Sequence, residues 1–319
     1  MTEKIQNLHS LISEIRDAVD LITRSDPLHI TGITQSEIKA SKEHSLKQAM
    51  SLIEHCENLS SINKSKKPYI RVVHHLACSG GTIFSKCIAA LPNVYLLSEA
   101  NPFSPIVNKD SPSFSPTDIP SLAKFAAVPE IETLSNSIFK HNVTELNNHI
   151  ESIGGRLVVR YHTHTDYNTS KTLPDKNHFD KLFSQTCNVL SVLTIRNPLD
   201  AYTSLKKNGW VHFEPQTFEE YCRRYLLHLS HFKKENIYRY EDFVEDPKDL
   251  IEQAARKLEL SFDESFLDIF AQFNLTGDSG RKSDFISARE SRVDEDLLRE
   301  ASQSESYKKI CELGWYQSS

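Results

Sequence analysis

The stretch Ile70-Arg71-Val72-Val73-His74-His75-Leu76-Ala77-Cys78-Ser79-Gly80-Gly81-Thr82-Ile83-Phe84 decides the fold. Its first seven residues are rich in β-branched and apolar side chains and predict a buried strand. From Ile83 onward, Phe84, Cys87, Ile88 and Leu91 recur at helical spacing until Pro92 ends the run. A strand, a glycine-containing turn and a helix together form an anion site. The first N–H groups of a helix lack intrahelical partners, and the helix dipole favours negative charge there. Gly80 and Gly81 are expected to let the backbone approach a ligand, with Ser79 and Thr82 adding hydroxyl donors. A nucleotide phosphate is the expected ligand, and a bare strand-to-helix turn is the alternative.

The ATP and GTP fingerprint requires a glycine four residues ahead of Gly-Lys-Ser/Thr. No glycine lies between positions 33 and 79, and Gly81 is followed by Thr82 where that fingerprint has lysine. The pattern therefore argues against a kinase or an ATPase. A second strand, Val189 to Ile195, delivers Arg196 to its carboxyl end, and Pro198 opens the next helix. Ser204 falls two turns along that helix. A guanidinium and a hydroxyl at a strand end suit a phosphate; pairing of Arg196 with Asp200 is the alternative.

These elements resemble those of the sulfotransferases, which move a sulfuryl group from 3′-phosphoadenosine 5′-phosphosulfate to an acceptor. Ser79-Gly80-Gly81-Thr82 is similar to the family's 5′-phosphosulfate loop. Arg196-Asn197-Pro198-Leu199-Asp200 with Ser204 is similar to its 3′-phosphate motif. Tyr238-Arg239-Tyr240-Glu241-Asp242-Phe243, followed by Asp246-Pro247, resembles a further family segment. Gly280-Arg281-Lys282-Ser283 resembles the late element that also reaches the 3′-phosphate. The four elements keep the family's order over about two hundred residues. The resemblance implies a P-loop-like α/β fold, donor contacts from Ser79, Gly80, Gly81, Thr82, Arg196, Ser204, Arg281 and Lys282, and a hydroxyl-bearing acceptor. It departs at Cys78, where many relatives carry a lysine or arginine, and at Ser283, where glycine is common. Cys78 keeps open a relative that binds nucleotide without turnover; a phosphotransferase on the same fold is the other alternative.

Sulfuryl transfer needs a base for the acceptor proton and stabilisation of the leaving phosphate. Glu99 closes the short apolar run Val94 to Ser98, where some protein-modifying sulfotransferases place a catalytic glutamate. His162 lies in Leu157-Val158-Val159-Arg160-Tyr161-His162-Thr163-His164, which resembles the strand-end Lys-x-His of soluble members. Arg160 then matches their lysine and offers part of the charge that Cys78 lacks. His164 is a third candidate base. Each of these side chains alternatively serves only to pair with a neighbouring helix.

The chain has 319 residues and a formal net charge of −6, so no broad basic surface points to a nucleic-acid partner. Its six cysteines, Cys56, Cys78, Cys87, Cys187, Cys222 and Cys311, are dispersed without a C-x-x-C pair. That pattern predicts free thiols in a reducing, cytoplasmic setting. The fourteen histidines show no metal-ligand spacing, so no metal is expected, and no signal peptide or membrane span is read. Residues 1–66 read as a helical extension, with residues 67–319 as the catalytic domain. Ile5, Leu8, Ile12, Ile15, Val19 and Ile22 form an apolar seam, for packing on that domain or for self-association through residues 5–22. Residues 58–67 read as a linker, and 101–120 as a long loop of the kind that often covers a substrate. Helices are expected over 121–153 and 217–234. The expected architecture is a three-layer α/β sandwich with a mostly parallel sheet. Its strands are placed near 70–76, 94–98, 156–162, 189–196 and 236–240, and ligands bind beyond their carboxyl ends.

Overall fold

A computed structural model of the chain describes residues 67–103, 118–170, 172–276 and 285–317. The extension, its apolar seam, the linker up to residue 66 and most of the 101–120 loop lie outside the described residues. Residues Pro68–Ser319 form one compact unit.

Its elements run as β1 Tyr69–His75, α1 Gly81–Ala89, β2 Val94–Ala100, α2 Ile119–Phe125, α3 Ile131–Ser152, β3 Arg156–Tyr161, α4 His164–Tyr167 and α5 His178–Phe183. Then follow β4 Asn188–Ile195, α6 Pro198–Lys207, α7 Phe218–Ser230, β5 Ile237–Arg239, α8 Tyr240–Glu245, α9 Pro247–Lys257, α10 Phe266–Ile269, α11 Glu295–Gln303 and α12 Glu305–Glu312. All five expected strands form and pair in parallel in the order β2-β3-β1-β4-β5.

Alternation along the central strands builds the three layers. Val73, Val158 and Val192 face one side, where they pack with Phe84 and Ile88 of α1 and with Ile251 and Ala254 of α9. Val72 and Val159 face the other side, against Val143 and Ile150 of α3 and Phe179 and Phe183 of α5. Leu193 and Ile195 continue that face against Leu199, Tyr202 and Tyr225 of α6 and α7. A parallel sheet covered on both faces needs such near-continuous apolar strands.

Local signals place the helices. Asn197 caps α6 by accepting from Leu199 N at 3.0 Å, with Pro198 in the first turn. Asp246 caps α9 in the same way, accepting from Asp249 N at 3.0 Å ahead of Pro247. Phe218, Tyr221, Tyr225 and Leu229 all lie on the buried face of α7. Helix α7 ends at Ser230, short of the expected 234, and two strands also differ from the sequence expectation. Strand β5 is shorter, because Tyr240 opens α8 directly. Strand β2 continues to Ala100 through an irregularity between Leu97 and Ala100, which re-aims Glu99. Among the described residues, no helix is long and apolar enough to cross a membrane.

Candidate functional site

The carboxyl ends of β1, β2, β3 and β4 converge on the first turn of α1. Gly80 is the N-cap in the left-handed conformation, and no side chain caps the helix. The N–H groups of Gly81, Thr82 and Ile83 precede the first intrahelical bond, from Phe84 N to Gly80 O at 3.2 Å. They form the open end to which an anion is drawn.

The glycines are required for a reason the sequence did not disclose. A Cβ on Gly80 would lie 2.3 Å from the Tyr240 ring, and one on Gly81 would lie 2.3 Å from the His75 ring. Protein side chains occupy the positions a Cβ would take, so glycine is needed there independently of any ligand. The Ser79 hydroxyl turns inward and donates to Leu76 O at 2.7 Å. The turn therefore presents its backbone amides and Thr82 ahead of Ser79.

Arg160 on β3 lies beside this turn with its side chain only 3% exposed. Its Nε donates to His75 Nε2 at 2.9 Å. Nη1 donates to Ser98 Oγ at 3.0 Å and to Thr276 O at 3.3 Å. Nη2 donates to Thr82 Oγ1 at 3.0 Å and lies 2.8 Å from Glu99 Oε1. The partners of His75 fix its tautomer: Nδ1–H donates to Leu76 O at 3.1 Å, leaving Nε2 to accept. Burial, followed by the charge of Arg160, pushes the His75 ring down to about 3, so it stays neutral.

Glu99 occupies the irregular stretch of β2 with φ 58°, an uncommon conformation for a residue with a side chain. Strand irregularities of this kind redirect a side chain. Here the carboxylate reaches both Arg160 and His162 Nδ1. Burial works to raise its pKa. The hydrogen bond from His162 and the charge of Arg160 outweigh burial and pull it down to about 2. A carboxylate ionised in this way can only accept, so His162 Nδ1–H is the donor to Glu99, on the opposite side of the ring from Nε2. That Nε2 is buried and has no hydrogen-bond partner among the described residues. His162 is held at both backbone ends, N to Ala100 O at 3.1 Å and O from Asn101 Nδ2 at 3.2 Å.

His164 follows with its ring centroid 5.7 Å from that of His162, and His212 lies 5.7 Å further on. Burial pushes His164 down to about 4, helped by the neighbouring imidazoles. Among the described residues no group of three His, Cys, Asp or Glu side chains has the placement of a metal site.

On the other flank, Arg196 is 4% exposed. Its Nη1 donates to Cys78 O at 3.4 Å, and its guanidinium lies 5.1 Å from the centroid of the Tyr240 ring. No ion pair joins it to Asp200 among the described residues. Cys78 adopts φ 65°, and its sulfur accepts from Asn208 Nδ2 at 3.8 Å. Asn208 lies four residues after Ser204, so the two share one face of α6. Glu241 ties α8 to the end of β4 by accepting from Asn197 N at 2.8 Å. Arg281 and Lys282 lie outside the described residues.

Thr82, Glu99, Arg160 and His162 thus form one hydrogen-bonded network, with Arg196 alongside the same turn. His75, Ser98, Thr276 and Tyr240 also belong to the site, although sequence reasoning assigned them no role. Only the place of Tyr240 within a recognised segment, and of His75 just ahead of one, hinted at them.

No family profile matches the sequence, and no curated protein matches it. Solved structures similar to this chain include the sulfotransferase domain from the curacin biosynthetic pathway. That match has 15% identity and TM-score 0.43, and covers 78% of this chain and 99% of that one. The sulfotransferase domain from the Synechococcus PCC 7002 olefin synthase matches with 13% identity and TM-score 0.42, over 75% of this chain and 95% of that one. Mouse sulfotransferase SULT7A1 complexed with PAP matches with 12% identity and TM-score 0.42, over 79% and 90%. These three neighbours are sulfotransferases.

Proposed function

We propose that the protein transfers a sulfuryl group from 3′-phosphoadenosine 5′-phosphosulfate to an acceptor hydroxyl. One observation carries this reading. A buried imidazole, oriented by an ionised carboxylate, presents an unpaired Nε2, and a single arginine links that pair to an uncapped helix N-terminus.

The donor supplies the electrophilic sulfur and a phosphate oxygen as leaving group. His162 Nε2 accepts the proton of the acceptor hydroxyl as its oxygen forms the new bond to sulfur. The bond from sulfur to the 5′-phosphate oxygen then breaks, and that oxygen leaves with the bonding pair. Glu99 holds the imidazole in the required tautomer and stabilises the imidazolium, following the logic of base-and-orienter pairs. The α1 amides, Thr82 and Arg160 stabilise the charge growing on the leaving phosphate. Arg160 supplies the cation that Cys78 cannot. Arg196 and Ser204 are assigned to the 3′-phosphate, with Arg281 and Lys282 as further contacts. Cys87, Cys187, Cys222 and Cys311 are free thiols, and the proposed compartment is the cytoplasm.

The test is incubation with radiolabelled sulfuryl donor or labelled ATP and a panel of sugar, lipid, peptide and small-molecule hydroxyls. Labelled product from the sulfuryl donor alone is expected. Product from ATP alone, or donor binding without product across the panel, overturns the assignment.

A further inference from the structure

We propose that Arg160 makes the base conditional on the donor: an anion on the first turn of α1 and the Glu99 carboxylate compete for one guanidinium nitrogen. This inference rests on the sulfuryl-transfer reading above. The geometry is specific. Nη2 is the nitrogen that serves both Thr82 Oγ1 at 3.0 Å and Glu99 Oε1 at 2.8 Å. Thr82 is the second residue of α1, within the uncapped turn, so an anion seated there arrives next to Nη2.

The rest of the guanidinium is pinned. Nε is engaged by His75, and Nη1 by Ser98 and Thr276 O. A planar fork held on two edges does not swing away. The arriving anion therefore changes what Nη2 bonds and how much positive charge Glu99 feels, without moving the side chain. The charged or titratable groups around Glu99 are Arg160 and His162 on and just beyond β3, His75 on β1 and His164 on α4. Arg160 is the permanent cation among them. Drawing its charge towards the anion leaves the carboxylate more basic, and Glu99 then pulls harder on His162 Nδ1–H. The proton affinity of Nε2 rises in turn. Without donor, Arg160 restrains the pair; with donor in place, the base is strengthened.

Linkage supplies the test, because two ligands competing for one group weaken each other reciprocally. The dissociation constant of adenosine 3′,5′-bisphosphate is measured by calorimetry for wild type, Glu99→Gln, Arg160→Ala and the double variant, each checked for folding by circular dichroism. Glu99→Gln should tighten binding by about tenfold, within the usual range for coupled sites. In the Arg160→Ala background, the same change should shift affinity less than about twofold. Unchanged or weaker binding by Glu99→Gln overturns the proposal. So does a gain that survives loss of Arg160, since that marks a general field effect. The unaltered protein gives an independent readout. With 15N-labelled histidine, the His162 Nδ1–H resonance should move downfield on saturation with the bisphosphate; a resonance that stays in place on saturation overturns the coupling. If the bisphosphate does not bind wild type at all, the sulfuryl-transfer reading fails first and the coupling with it.

Discussion

Gly81→Ala is expected to destabilise the protein through His75, with no ligand present. The new Cβ would lie 2.3 Å from His75 Cγ, 2.7 Å from Nδ1 and 2.8 Å from Cβ. These are the ring and root of a side chain pinned by hydrogen bonds to Leu76 O and Arg160, so the ring cannot yield cheaply. Overpacking of this kind costs about 1–3 kcal/mol, and weakening two hydrogen bonds adds about 1 kcal/mol. A total of about 2–4 kcal/mol corresponds to a fall in Tm of roughly 5–15 °C for a unit of this size. Calorimetry should also show coupling to His75→Ala, which removes the two shortest contacts and leaves the one to Cβ. The Gly81→Ala cost should fall by about half in that background. At Gly209 a Cβ meets nothing within 4 Å, so Gly209→Ala should show no coupling to His75. An unchanged Tm for Gly81→Ala, or strictly additive costs with His75→Ala, refutes the reasoning.

Replacing Glu99 probes acid stability. Its carboxyl is held near 2 against an ordinary 4.5, so it contributes stability that is present above about 4.5 and lost as pH falls towards 2. Denaturant unfolding of Glu99→Gln should show a deficit on the order of 3 kcal/mol at pH 7 that closes on acidification; a deficit independent of pH contradicts the assignment. Arg196→Ala should weaken adenosine 3′,5′-bisphosphate at least tenfold, since a charge-assisted hydrogen bond contributes about 1.5–3 kcal/mol. Adenosine 5′-phosphate should bind almost as before, and equal losses for both would make Arg196 merely structural.

Much of the architecture was legible because burial on both faces writes itself into the strands. Val72-Val73, Val158-Val159 and Val192-Leu193 each send one residue to either side, leaving runs too apolar to be anything else. Pro198 marked a helix start through local chemistry alone. The candidate bases were legible as residues but not as a pair. The contact of Glu99 with His162 depends on one residue in a left-handed conformation within β2, and nothing in Leu97-Ser98-Glu99-Ala100 signals that turn. The packing that also demands Gly80 and Gly81 was hidden for a related reason. Their neighbours, Tyr240 and His75, are set by tertiary packing that a turn motif does not encode. The inward hydroxyl of Ser79 closes a local bond to Leu76 O, three residues back, whereas Arg160 was readable only as a charge near the site.

The central claim is that His162 takes the acceptor proton beside a separate donor site. The most direct measurement is turnover and donor affinity of His162→Ala, determined side by side on an acceptor that wild type sulfates. Turnover should fall by roughly 10²–10⁴-fold, the usual contribution of a general base. The dissociation constant for the donor should stay within about twofold, because His162 reaches the α1 turn only indirectly, through Glu99 and Arg160. Wild-type turnover by His162→Ala, or loss of donor binding in step with activity, would contradict the account.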